Sequence, residues 1–126
     1  MRIVNLTQHV ATQDQQDAGV FEPTDKAVVQ ALLTFEQVPS EDELFQRAER
    51  LAFEIARTSG ADAAMIGGAP YFMAPLESRL RMAGLTPLYS FTQREAVDIP
   101  QADGSVKKSQ IFKHVGWVEA TTRLQS

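Results

Sequence analysis

The sequence predicts a small three-layer α/β sandwich whose parallel strands are extended at one edge by a C-terminal antiparallel hairpin. Three observations predict it. Short strand-like runs starting at Arg2, Ala63 and Leu85 alternate with longer segments that repeat at helical spacing. The connections between those runs carry helices, and right-handed crossovers make the three strands parallel. Asp103-Gly104 stands between two further extended segments and is the strongest hairpin signal in the chain. At 126 residues, 44% of them hydrophobic and 22% charged, residues 1–126 make one globular domain.

Arg2 to Leu6 is short, branched and closed by polar residues, as a strand requires. Gln8 to Glu22, rich in Gln, Asp and Gly, reads as a loop with a short helix around Thr12 to Ala18. Thr24 caps a helix over Asp25 to Thr34 that sets Ala27, Val28, Ala31 and Leu32 on one face. Ser40 and Glu43 form a capping box; Leu44, Ala48, Leu51, Ala52 and Ile55 follow at helical spacing until Gly60. Ala63 to Ile66, closed by Gly67-Gly68, is a strand buried on both faces. The helix from about Tyr71 to Ala83 tolerates Pro75 only in its first turn, where a missing N–H loses no partner, and stops at Gly84. Phe72, Met73 and Met82 are expected in the core. Leu85 to Phe91 is the third strand, and Arg94 to Ile99 with Val106 to Glu119 are two more. Strict alternation puts His114 beside Phe112 and Gly116, on the face opposite Trp117.

The formal charge of −4 argues against a surface built to grip long DNA or RNA, but leaves room for a small anionic ligand. Without cysteine there is no disulfide, thiolate metal site or cysteine nucleophile, in keeping with a reducing cytoplasm. In MRIVNLTQHV the apolar stretch is interrupted at Asn5, so it is neither signal peptide nor membrane span; the expectation is a cytoplasmic protein with no membrane partner.

Ligands of open α/β sheets bind beyond the carboxyl ends of the parallel strands. Three polar segments fall there: Asn5-Leu6-Thr7-Gln8-His9, Gly67-Gly68-Ala69-Pro70 and Ser90-Phe91-Thr92-Gln93-Arg94. Gly67-Gly68 lets backbone approach a ligand, and the N–H groups opening the next helix can hold an anionic oxygen; the alternative is a tight turn. Ser90 and Thr92 offer hydroxyls, and Arg94 a charged fork that matches phosphate. Arg94 equally reads as a solvated charge or the partner of Glu95 or, across the hairpin, Glu119. His9 suits a general base or a loop cap, and His114 strand packing. Lys107-Lys108 reads as a solvated hairpin tip, and Trp117 as core or interface. There is no complete G-x-G-x-x-G run, no P-loop lysine and no metal-ligand spacing between the two histidines, so no cofactor or metal is expected.

The segments GLTPLYSFTQREAV and DGSVKKSQIFKHVGWVEA, with NLTQHVATQDQQDAG more loosely, resemble the small stand-alone proteins of the CRISPR-associated Rossmann fold (CARF) superfamily. Chains of this kind also look like uncharacterised prophage proteins of the same fold. The resemblance implies a Rossmann-like homodimer that binds a cyclic oligoadenylate across its two-fold axis. Some such proteins sense the ligand, and ring nucleases cleave it without metal through the ribose 2′-hydroxyl. By that likeness Thr92 and Arg94 hold phosphate and stabilise the transition state, with His9 beside them. Asn5, Thr7, Gln8, Gly67, Gly68, Ala69, Ser90 and Gln93 contact the ligand. The chain departs from the pattern at Gly116-Trp117 and in its acidic balance.

Two other functions stay open. One is a nucleoside- or glycosyl-processing enzyme, which needs a carboxylate nucleophile such as Asp62, Glu77 or Glu95. The other is an interaction protein whose hairpin and Trp117 form an oligomer surface.

Overall fold

A computed structural model describes residues 1–121. Its five strands form one mixed sheet in the order β2-β1-β3-β4-β5. β1 (Ile3–Leu6) lies between β2 (Val20–Phe21) and β3 (Ala63–Ile66), parallel to both. β4 (Thr86–Pro100) runs parallel to β3, and β5 (Val106–Glu119) antiparallel to β4. The helices are α1 (Gln13–Asp17), α2 (Lys26–Leu32), α3 (Glu41–Glu49) and α4 (Pro70–Met82). This is the α/β arrangement the sequence predicts, mostly parallel with an antiparallel C-terminal pair.

Every residue of β1 and β3 is buried, so alternate side chains serve two cores. Val4, Leu6, Ala64 and Ile66 pack with Leu32, Leu51, Phe72, Leu76 and Leu80 on the face covered by α2, α3 and α4. Ile3, Ala63, Met65 and Leu88 face the other way, with Ala11, Val20 and Trp117. α1 lies on this second face but buries no residue of its own.

Several expectations are corrected. β2 is an added strand within the stretch expected to be loop; two residues pair with Ile3 and Val4, too few to give a periodic signal. Asp25 rather than Thr24 caps α2, because its carboxylate reaches the Val28 N–H at 3.2 Å. The buried residues of α2 are Val29 and Leu32, while Ala27 and Ala31 are exposed. Ser40 accepts the Glu43 N–H, but the Glu43 carboxylate turns to Arg47 at 2.8 Å, so only half of the capping box forms. α3 continues through a π-helical stretch, Arg50–Ala56, and a 3₁₀ turn, Arg57–Ser59, before Gly60 ends it at φ 78°. Pro75 lies within α4 and not in its first turn, because Pro70 already opens the helix. The carbonyl deprived by Pro75 is that of exposed Tyr71, where water can serve it. Met82 is 65% exposed rather than core.

The strands expected at Leu85–Phe91 and Arg94–Ile99 are one strand, β4, because β5 pairs with it continuously from Leu88 to Pro100. One residue of β5 is extra: Phe91 pairs with Gly116 and Thr92 with His114, which leaves Val115 as a bulge. The bulge cancels one step of alternation, so His114 and Trp117 share a face, with ring centroids 4.4 Å apart. Beyond Leu88 β4 has left β3, and β4 and β5 continue as a two-stranded arm. Among the described residues no helix is long and apolar enough to cross a membrane.

Candidate functional site

β2 and β3 stand on opposite sides of β1, so the direction of winding reverses between β1 and β3. In a doubly wound sheet that switch point opens a crevice beyond the strand ends. A cleft of about 510 Å³ lies there. Thr7, Gln8 and His9 line it from the loop after β1, Gly67 and Gly68 from the end of β3, and Tyr89 and Ser90 from β4. Thr12 and Gln15, at the start of α1, close the remaining side. Among the described residues no carboxylate, lysine or arginine lines it; the wall is hydroxyl, amide, imidazole and glycine backbone over Met65 and Ile66.

The loop after β1 is held by a polar knot. Asn5 is fully buried, and its amide donates to the His9 carbonyl at 2.7 Å and to both Glu22 oxygens. Its oxygen accepts from the Thr7 N–H at 2.9 Å and the Thr7 hydroxyl at 2.7 Å. Glu22 also accepts the Ala11 N–H at 2.8 Å, and Lys26 spans the Thr7 and His9 carbonyls and Glu22. Burial alone would raise the Glu22 pKa, but the bonds from Ala11, Asn5 and Lys26 together hold it below the ordinary carboxylate range. Gln8 is tied to the end of α2 through Leu33 and Thr34. The backbone around His9 is thus fixed, while its exposed imidazole has no hydrogen-bond partner among the described residues.

On the β4 side, the Thr12–Gln15 capping box sets one amide. Gln15 Oε1 accepts the Thr12 N–H at 3.0 Å, which leaves Nε2 to donate to Ser90 Oγ at 3.2 Å. Ser90 Oγ lies 2.5 Å from His114 Nδ1. With Gln15 donating into one lone pair, Ser90 Oγ keeps its proton and a second lone pair, so the contact with Nδ1 runs in the direction that the His114 tautomer sets. Tyr89, the next lining residue, donates its hydroxyl to Glu77 of α4. Burial first, then the Glu77 bond and charge, push the Tyr89 pKa well above the ordinary phenol value.

Gly68 has φ 142°, a conformation that side chains rarely adopt, whereas Gly67 has ordinary φ, and a Cβ added there would make only van der Waals contact with Thr7. Ala69 caps α4 without a side-chain bond to the helix.

Thr7, Gln8, His9, Gly67, Gly68 and Ser90 therefore meet in one cleft. Asn5 lies beneath it with its bonding capacity spent inside the chain. Thr92, Gln93 and Arg94 do not line it; they are exposed on the arm, with Arg94 5.4 Å over the Phe112 ring. Neither carboxylate proposed for Arg94 lies opposite it: Phe112 does, and Glu119 pairs with Arg81 at 3.7 Å. Asp62, Glu77 and Glu95 do not line the cleft either. Lys107 and Lys108 are exposed near the hairpin tip. Sequence reasoning missed Gln15, Glu22, Lys26 and Tyr89. The Thr12-x-x-Gln15 capping pattern was a usable signal; for Glu22 and Lys26 there was none. Among the described residues no group of three His, Asp or Glu side chains is placed to hold a metal ion.

Fold and cleft together define a doubly wound α/β protein with a polar crevice at its switch point. Residues 1–118 match the Uncharacterized protein MJ1673 family, and the chain belongs to that family. No curated protein and no solved structure matches it.

Proposed function

We propose that the protein binds a small nucleotide, a cyclic oligoadenylate or a related linear adenylate, in the switch-point cleft. The observation that carries this reading is the convergence of His9, Gly67-Gly68 and Ser90 there, in a wall to which the described residues bring no carboxylate. Amides and hydroxyls suit a base and a ribose, the apolar floor suits a base face, and glycine backbone admits a phosphate closely. The likeness to the CARF superfamily points to the same ligand class. Cleavage in this reading is metal-independent. The ribose 2′-oxygen bonds to the adjacent phosphorus as the P–O5′ bond breaks. His9 takes the 2′ proton and solvent water gives a proton to the departing 5′-oxygen, leaving a 2′,3′-cyclic phosphate and a 5′-hydroxyl. Thr92 and Arg94, outside the cleft, are not needed for binding within one chain.

The test is a panel of linear and cyclic adenylates incubated with the protein without metal, read by thermal shift and product analysis. A ligand at a hundred times its Kd should stabilise the fold by about 2.7 kcal/mol. No shift and no product with any adenylate would overturn the proposal.

A further inference from the structure

Among the described residues the β4–β5 arm has two free edges, since β4 beyond Leu88 and β5 throughout have no second neighbour in the sheet. It also exposes Phe91, Ile99, Ile111, Phe112 and Val115. A long apolar ribbon with unpaired N–H and C=O groups on both sides is a template for another strand, and two strands alone are marginally stable in water. We propose that the arm pairs with the arm of a second copy of this chain, β4 against β4, to give an intermolecular sheet in the order β5-β4-β4-β5.

Charge chooses the edge. From Val106 to Val118 β5 carries Lys107, Lys108 and Lys113 and no acid, so two β5 edges in any antiparallel register offer like charges to one another. β4 carries both signs, as Arg94, Glu95 and Asp98, and none of the three is in an ion pair within the described chain. Symmetry then chooses the register. Two antiparallel strands related by a two-fold axis must have that axis perpendicular to the sheet, so opposed residues share a face and their numbers have the same parity. Glu95 is thereby excluded as the partner of Arg94, and Asp98 is left. Arg94 opposite Asp98 of the partner subunit centres the axis on Ala96, with Ala96 facing Ala96 of the partner subunit. Two reciprocal ion pairs flank that centre.

This inference stands apart from the nucleotide reading, and its test uses no nucleotide. The chain has no cysteine, so Ala96→Cys introduces a single thiol at the axis, where opposed Cβ atoms are about 5 Å apart and close enough to oxidise to a disulfide. Gln110→Cys, opposite Ala96 on β5, is the control. Ala96→Cys should cross-link to a dimer under mild oxidation and Gln110→Cys should not. In analytical ultracentrifugation the wild type should be dimeric. Arg94→Asp and Asp98→Arg should each weaken the dimer by about tenfold or more, since each reversal sets like charges face to face twice. The double variant, which exchanges the charges, should regain it, showing that the arm of each single variant still folds. A monomeric wild type, preferential cross-linking through Gln110→Cys, or a double variant no better than the singles would overturn the proposal.

Discussion

Ser90 Oγ and His114 Nδ1 lie 2.5 Å apart on the face of the β4–β5 ladder that meets the cleft, with Gln15 donating to the same oxygen from α1. Three elements distant in sequence meet at one hydroxyl. A double-mutant cycle between Ser90→Ala and His114→Ala, followed by urea unfolding, should give a coupling of about 0.5–1.5 kcal/mol. Nitrogen NMR of the ring reads the direction of the bond, a proton on Nε2 marking Ser90 as donor and one on Nδ1 marking it as acceptor. A coupling near zero would show that the contact contributes little.

His9→Ala should leave stability within about 0.5 kcal/mol of wild type, since an exposed imidazole without a partner is removed. On the proposed function it should abolish adenylate turnover while retaining the thermal shift. Loss of both together would assign His9 to binding rather than proton transfer.

Acid should act on Glu22. Its folded pKa is below the ordinary value, so its contribution is present above the unfolded pKa and disappears as pH falls through the folded one. Glu22→Gln should therefore flatten part of the acid limb of the stability–pH curve below about pH 4.5, besides destabilising the protein at neutral pH. An unchanged slope below that pH would show that the knot around Asn5 does not depend on the carboxylate charge.

Tyr89 works in the opposite direction. Its folded pKa is raised, so its contribution is complete below the unfolded value near 10 and is lost as pH climbs above it. Ultraviolet titration of the native protein should show a late-ionising phenol, and Tyr89→Phe should remove it.

Gly19 and Gly60 both have positive φ, at 107° and 78°, but a Cβ on Gly19 would sit 2.3 Å from the Met1 carbonyl oxygen while Gly60 faces open space. Gly60→Ala should cost about 1 kcal/mol, the conformational term alone. Gly19→Ala should cost about 3 kcal/mol or more, because the β1–β2 edge must also move. Equal melting temperatures for the two variants would contradict this.

What was legible in the sequence was whatever repeats. The apolar run Ala63–Ile66, the spacing from Leu44 to Ile55 and the Asp103-Gly104 turn each carry a local pattern, and the strand ends that frame the cleft followed from them. What failed was decided at a distance. Val20-Phe21 is a strand only because β1 offers an edge, and His114 meets Trp117 only because β5 holds one residue more than β4 requires. Glu22 and Lys26 gain their role from β1 and the loop after it, seventeen residues earlier in the bonds of Glu22 to Asn5 and of Lys26 to His9. No period in the chain records such an encounter.

Val115, the residue without an opposite number, has a consequence for shape rather than pairing. If it were deleted, Gly116 would still meet Phe91 and His114 would still meet Thr92, now as neighbours in a regular ladder. Every cross-strand partner would survive, but the local bend and extra twist that a bulge imposes would go. It lies a few residues beyond the point where β4 parts from β3, so it acts as an elbow. The partners of the arm are set by the rest of β5, and its heading by this one residue.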